Sequence, residues 1–298
     1  KGGRVLREGI AVRYAFVEEH RPLHPVARLC ELVEVSTSGY YAWRDREPSE
    51  RQRRDQELLI AIRRVHLEHR QRYGAVKTWR RLNQTGTTCG KHRVARLRRE
   101  HGIEANRRSR QRLTIEHHKT AAPAPDLLQQ RFQAEAPNQV WSGDMTFIRT
   151  REGWLHLAVL VDVYSRKVVG YATDSRPGQD LHVGALVKAI TARKPIKGLI
   201  HHTDRGAQYR SAAYREMLAR HGLVASMNGR KVPQDNAIAE SFFSTLKNEL
   251  IHHADLYTRE QAKALIVEYI EQFYNRVRIH QSLGYCTPEQ FERQWRGA

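Results

Sequence analysis

The chain has 298 residues, enough for two or three domains and a well-buried core, and it carries 51 Lys and Arg against 32 Asp and Glu, a formal net charge of +19. The excess is uneven: residues 1–120 hold 28 basic and 14 acidic side chains, whereas residues 121–298 hold 23 and 18. A basic front joined to a nearly balanced rear points to polyanion binding in front and different work behind. No apolar run approaches about 20 residues, so no membrane-spanning helix is expected, and no signal peptide precedes the first elements. Cys30, Cys89 and Cys286 lie too far apart for a C-x-x-C pair, which predicts reduced thiols and a cytoplasmic protein. His20 and His24 have a ligand-like spacing, but no cysteine pair completes a zinc site. The His doublets at 117, 201 and 252 are read as surface or strand residues. The start at Lys1 rather than Met reads as a fragment or an internal start.

In chain order, residues 10–20 and Pro25–Val33 predict two helices, and a turn at Val35–Gly39 leads into a third, a helix-turn-helix shape. A hydrophilic stretch, Arg46–Arg51, separates this region (1–50) from a second helical unit (51–119). There Leu58, Leu59, Ile62 and Val65 recur at helical spacing in a long helix ending near Gln71. Tyr73–Leu82 opens the next helix, and Lys91–His101 forms a third. Val94 and Leu97 face inward on that third helix, leaving Lys91, Arg93, Arg96, Arg98 and Arg99 around the rest. A charged helix face is often merely solvated. Here it runs into Arg107, Arg108, Arg110 and Arg112, which favours contact with DNA phosphates. Thr120–Asp126, rich in Ala and Pro, opens a linker (120–133) and marks the main boundary.

Behind the linker lies a core placed at 134–252. Asn138–Ile148 alternates apolar and polar residues as a strand with Asp144 in its middle, Trp154–Asp162 follows as a second strand, and Lys167–Tyr171 makes a third. A helix at about 180–193 precedes a short apolar strand, Gly198–Thr203, with Asp204 at its carboxyl end, where α/β sheets place their ligands. Asp235-Asn236 is a favourable N-cap for the next helix, which carries Glu240 and Lys247 on one side and Phe242, Phe243 and Leu246 on an apolar face. This order predicts an α/β, ribonuclease-H-like catalytic core, a mixed five-stranded sheet flanked by helices, preceded by all-α helix-turn-helix regions. A helix from Thr258 to Asn275 opens the carboxyl-terminal extension (253–298).

A carboxylate at a strand end and another on a facing helix can hold a divalent cation, given a third. Asp144 and Asp162 both lie on strands and compete for that place. Asp162-Val163-Tyr164-Ser165-Arg166 has the look of a strand-end turn.

The residues around these acids resemble the transposases of insertion-sequence family three, the OrfB type of the retroviral-integrase superfamily. Trp141-Ser142-Gly143-Asp144-Met145-Thr146 is similar to that family's first-aspartate motif and His202–Tyr209 to its second. Asp235–Lys247 is similar to its glutamate helix, and Tyr274–Tyr285 with Thr287-Pro288-Glu289 to its tail. The 35 residues between Asp204 and Glu240 also fit, and the resemblance covers residue 10 onward. It departs at Lys231-Val232-Pro233-Gln234, where family members carry a glycine and an aromatic residue, which bears on that loop and its base contacts rather than on the acids.

The resemblance favours Asp144 over Asp162. It implies a DDE triad of Asp144, Asp204 and Glu240, with Asp144 bridging two Mg²⁺ or Mn²⁺ ions. It further implies recognition of terminal inverted repeats in double-stranded DNA, 3′-end cleavage and strand transfer without a covalent protein intermediate, and a homo-oligomer, dimer or larger, on paired ends. In a bacterium such a protein works at the nucleoid, and an upstream portion joined by frameshifting would precede it. Lys247 and Arg278 are candidate phosphate contacts, and Arg205 and His280 weaker ones. Two other readings share features of the chain: a metal-dependent nuclease of the same fold that does not join ends, and a DNA-binding regulatory protein in which the acids are incidental.

Overall fold

The apolar spacing of the first fifty residues closes three short helices around one small core. These are α1 (Ile10–His20), α2 (Val26–Leu32) and α3 (Thr37–Arg44), packed about Val17, Leu29, Cys30, Val33 and Tyr40. The Ser36 hydroxyl caps α3, accepting from Gly39 N at 3.1 Å, and the Tyr40 hydroxyl donates to the Glu18 carboxylate. The computed structural model describes residues 8–106, 123–128, 133–228 and 236–296. It divides into two compact units, Lys1–Ile60 and Ala61–Ala298, and α4 (Glu50–Glu68) runs through the division.

Within the second unit, α5 (Ala75–Gln84) and α6 (Lys91–Glu100) pack together over Leu82, Val94 and Leu97. Trp79 Nε1 pins the turn between them by donating to Cys89 O at 2.8 Å. Arg98 is not on the solvent face, as the sequence suggests, but buried. It lies on the stripe of Val94 and Leu97 and donates to Thr78 Oγ1 (3.2 Å) and Tyr73 O (3.0 Å). The start of this helical pair is tied to the end of the chain. Arg72 Nε donates to Glu249 O (2.8 Å), and the Tyr73 hydroxyl donates to Val277 O (3.1 Å) and accepts from Ile279 N (3.0 Å).

The strands are β1 (Val140–Thr150), β2 (Gly153–Asp162), β3 (Val168–Asp174), β4 (Ile200–Thr203) and β5 (Val224–Met227). They form one mixed sheet of order β3-β2-β1-β4-β5. β1 is central, antiparallel to β2 and parallel to β4. Burial of β2 is nearly continuous because helices cover both faces of the sheet. α7 (Gln179–Arg193) packs on β2 and β3, and it approaches so closely that a Cβ at Gly170 would stand 2.3 Å from Ala185 O. α8 (Ala212–Arg220) leads into β5, and α9 (Ala237–Glu249) lies against β1 and β2.

The expected helix from 258 to 275 is present as α10 (Arg259–Glu268) followed by a π-helical turn, Tyr269–Tyr274. This turn buries Tyr269, Ile270, Phe273 and Tyr274 on its inward face. A last helix, α11 (Pro288–Arg296), lies in the carboxyl-terminal extension read as helical, where the sequence reading bounded only the helix from Thr258 to Asn275. It is anchored by Glu292, which accepts from Arg193 Nη1 and Nη2 (2.9 and 2.7 Å) and from Ser165 Oγ (2.9 Å). No helix among the described residues is long and apolar enough to cross a membrane.

Candidate active site

The site is built by strand register. Gly143 of β1 pairs with Thr203 of β4 in parallel, the last pair of that ladder, so Asp144 and Asp204 are the next residue along each chain. Gly143 is required at this crossing: a Cβ there would come within 2.7 Å of the His201 ring. Asp204 leaves the end of β4 and turns, its Oδ1 accepting from Gly206 N at 2.8 Å. Glu240 stands exposed in the first turn of α9, where the positive end of the helix dipole favours an anion.

The electrostatics join these three side chains. Asp144 is half-buried, and its Oδ1 accepts from Met145 N at 2.7 Å. Its carboxyl is pushed up to about 8 by burial, then by the Asp204 carboxylate and by Glu240; the Met145 N–H and Lys247 work in the opposite direction. A carboxylate facing two others in a desolvated position is unstable as an anion unless a cation joins it. The donor set is all hard carboxylate oxygen, which suits Mg²⁺ or Mn²⁺. Among the described residues, no three His, Cys, Asp or Glu side chains stand close enough to enclose a metal ion between them.

Lys247 lies two turns beyond Glu240, its Nζ 5.4 Å from the centre of the Phe147 ring. Burial lowers its pKa and the Asp144 carboxylate opposes that shift. Beneath the site, His201 Nε2 shares a 2.8 Å hydrogen bond with the Tyr214 hydroxyl, and His202 Nδ1 one with Ser226 Oγ. Burial, and next the neighbouring His202, drive the His201 ring down to about 3, so it is a neutral strand residue beneath the acids.

Asp162, the rival strand aspartate, is fully buried and closes a turn: it accepts from Asn138 N (2.7 Å), Ser165 N (2.9 Å) and Ser165 Oγ (3.1 Å). Arg205 donates through Nε to Asn228 O at 2.6 Å. On α6, Lys91 and Arg99 are exposed, Arg93 is half-buried, and Arg96 pairs with Glu100 at 2.8 Å. Arg107, Arg108 and Arg110 lie outside the described residues, as does the divergent 231–234 loop.

Three expectations need correction. Arg278 is not a surface phosphate contact; its guanidinium is buried and bidentate on Glu249, with Nη2–Oε1 at 2.9 Å and Nε at 3.0 Å from Oε2. Burial alone would lower its pKa, but the Glu249 carboxylate more than offsets this and holds it above the ordinary arginine value. His280 is buried as well, its ring driven to about 2 by burial and then by Arg278. Asn236, expected to cap α9, makes no side-chain cap. Its amide instead bonds to β1, accepting from Ser142 Oγ (2.5 Å) and donating to Gly143 O (3.1 Å). The sequence carries no signal for those partners, which lie more than ninety positions upstream.

Three family models match the chain: an HTH-like domain over residues 53–111, an integrase core domain over 134–233, and a second integrase core domain model over 221–288. An insertion element IS600 uncharacterized 31 kDa protein of Shigella sonnei is 40% identical over 267 residues, covering 90% of this chain and 98% of that protein. The transposase InsF for insertion sequence IS3A of Escherichia coli (strain K12) is 38% identical over 286 residues, covering 95% and 99%. Among solved structures, the HTLV-2 integrase catalytic core domain in complex with magnesium aligns with a TM-score of 0.43 at 18% identity, over 54% of this chain and 99% of that one. A simian T-cell lymphotropic virus intasome in complex with a PP2A regulatory subunit aligns with a TM-score of 0.45 at 16% identity, over 78% and 74%.

Proposed function

This chain belongs to the IS3-type insertion-sequence transposases, DNA transposases of the DDE polynucleotidyl-transferase class, and on that premise we propose that Asp144, Asp204 and Glu240 are its catalytic metal ligands. The observation that carries this reading is the parallel pairing of Gly143 with Thr203, which makes Asp144 and Asp204 the next residues of neighbouring strands, and the Asp204 and Glu240 charges both act on the Asp144 carboxyl. Asp144, Asp204 and Glu240 would hold the ions through their carboxylate oxygens. Two divalent ions bound there, Mg²⁺ or Mn²⁺, would activate the attacking oxygen and neutralise charge on the phosphodiester in flight.

The chain's own residues do the rest. The strand register fixes Asp144 beside Asp204, α9 carries Glu240 to them, and Lys247 supplies a cation for a DNA phosphate next to the acids. Lys91, Arg93, Arg96 and Arg99 on α6, with Arg107, Arg108 and Arg110 beyond it, contact the phosphates of the terminal inverted repeat. The attacking group is water for 3′-end cleavage and then the freed DNA 3′-hydroxyl for strand transfer, with no covalent protein intermediate. Two ends brought together require at least two protomers, so the working form is a homodimer or larger, acting on DNA at the bacterial nucleoid. Segments 1–50 and 51–119 serve end recognition, 120–133 is the linker, 134–252 carries catalysis and 253–298 supports it from the carboxyl terminus.

Mn²⁺ titration followed by electron paramagnetic resonance tests the ligand assignment. Wild type takes up Mn²⁺ at the site, and Asp144→Asn and Asp204→Asn each lose it. Uptake by both variants equal to wild type removes these aspartates from the metal site.

A further inference from the structure

α9 must meet β1 in one register for Glu240 to face Asp144, and one side chain links the two elements at that point. Asn236 immediately precedes α9, is 3% exposed, and is of a residue type favoured for capping. Yet it leaves the helix uncapped and spends its amide on β1. Its Nδ2 donates to Gly143 O and its Oδ1 accepts from the fully buried Ser142 hydroxyl. The chemistry fixes the orientation of the amide. A backbone carbonyl can only accept, so nitrogen must face Gly143, and the Ser142 hydroxyl then donates to the oxygen.

The spacings agree on both elements. Asn236 precedes Glu240 by four residues, one helical turn of about 6 Å. Ser142 precedes Asp144 by two residues on the same strand face, about 6.6 Å. The Ser142–Asn236 bond is therefore one step along from the Asp144–Glu240 pair, and fixing the first sets the register of the second. We propose that Asn236 is a positioning residue that locks the catalytic helix onto the central strand and so holds Glu240 opposite Asp144. This rests on the metal-ligand reading of those two acids. Aspartate at 236 would set a carboxylate against the Gly143 carbonyl, and alanine would leave the Ser142 hydroxyl buried without a partner.

The test compares wild type, Asn236→Asp, Ser142→Ala and Glu240→Gln in strand transfer of labelled element-end DNA over a Mg²⁺ titration. DNA-end affinity and thermal unfolding are measured for each, with hydrogen exchange of the first turn of α9 in metal-free protein. Asn236→Asp is expected to lose roughly 10- to 100-fold in turnover and to need more Mg²⁺ for half-maximal rate. Its affinity for the DNA end stays unchanged, and the first turn of α9 exchanges faster. Ser142→Ala, which removes one of the two bonds and keeps the fold, shows a smaller loss of the same kind, and the double variant is no worse than Asn236→Asp alone. Wild-type turnover and Mg²⁺ dependence in both Asn236→Asp and Ser142→Ala would overturn the proposal. Full activity of Glu240→Gln would instead overturn the ligand reading beneath it.

Discussion

Replacing Arg278 by Gln separates the two roles open to that arginine. Only 12% of the Arg278 side chain and 12% of the Glu249 side chain are exposed, and the pair is bidentate. The Glu249 carboxylate also accepts from the Tyr269 hydroxyl at 2.9 Å, and its backbone oxygen accepts from Arg72 Nε at 2.8 Å, so this residue ties the end of α9 to the carboxyl-terminal segment by its side chain and to the helical pair by its backbone. Losing one partner of a buried pair leaves the other charge desolvated, at a cost of about 3–5 kcal/mol. For a unit of this size that lowers Tm by roughly 6–20 °C. Glu249 is held below the usual glutamate range because the Arg278 charge outweighs burial. The pair's stabilisation is therefore present above about pH 4.5 and is lost as pH falls through the depressed value. Urea unfolding at pH 7 and pH 4, with DNA affinity over a salt series, reads all of this. The reasoning is refuted if Arg278→Gln unfolds like wild type while DNA affinity drops and the salt slope falls by about one, the signature of a surface phosphate contact.

Three further outcomes follow from the packing. In EDTA, stability should fall as pH rises from about 4 to about 8, because the folded protein keeps a proton on Asp144 that the unfolded chain releases; Asp144→Asn should flatten that slope, worth at most on the order of 4 kcal/mol at pH 7, as read by denaturation across the pH range. Glu292→Gln should destabilise by about 2–4 kcal/mol, since Arg193 and Lys167, at 2.7 and 3.5 Å, lose their buried counter-charge; thermal melting checks it. Gly143→Ala should cost about 1–3 kcal/mol, because the new methyl meets the His201 ring at 2.7 Å, and a melting curve like that of wild type would contradict that crossing.

Much of the fold was legible because its signals are local. Alternation in 138–148 and the apolar run of 154–162 mark β1 and β2, and the glycine-bounded run of 198–203 marks β4. What escaped was non-local. The burial of Arg278 depends on Glu249, 29 positions away, and that of Arg98 on Thr78, 20 away. Asn236 reads as a cap because capping is decided by near neighbours, whereas its actual partners lie on another element. α11 carries few apolar residues and is held by Glu292 to Arg193, an attachment that hydrophobic spacing does not reveal.

The central claim is that Asp144, Asp204 and Glu240 act together on DNA. It is tested most directly by strand transfer of labelled element-end DNA in Mg²⁺, comparing wild type with Glu240→Gln, a swap that keeps size and helix and removes the charge. Wild type should join ends, while the variant binds the same DNA with unchanged affinity and joins none. Equal joining by the variant would contradict the account and take Glu240 out of the active site.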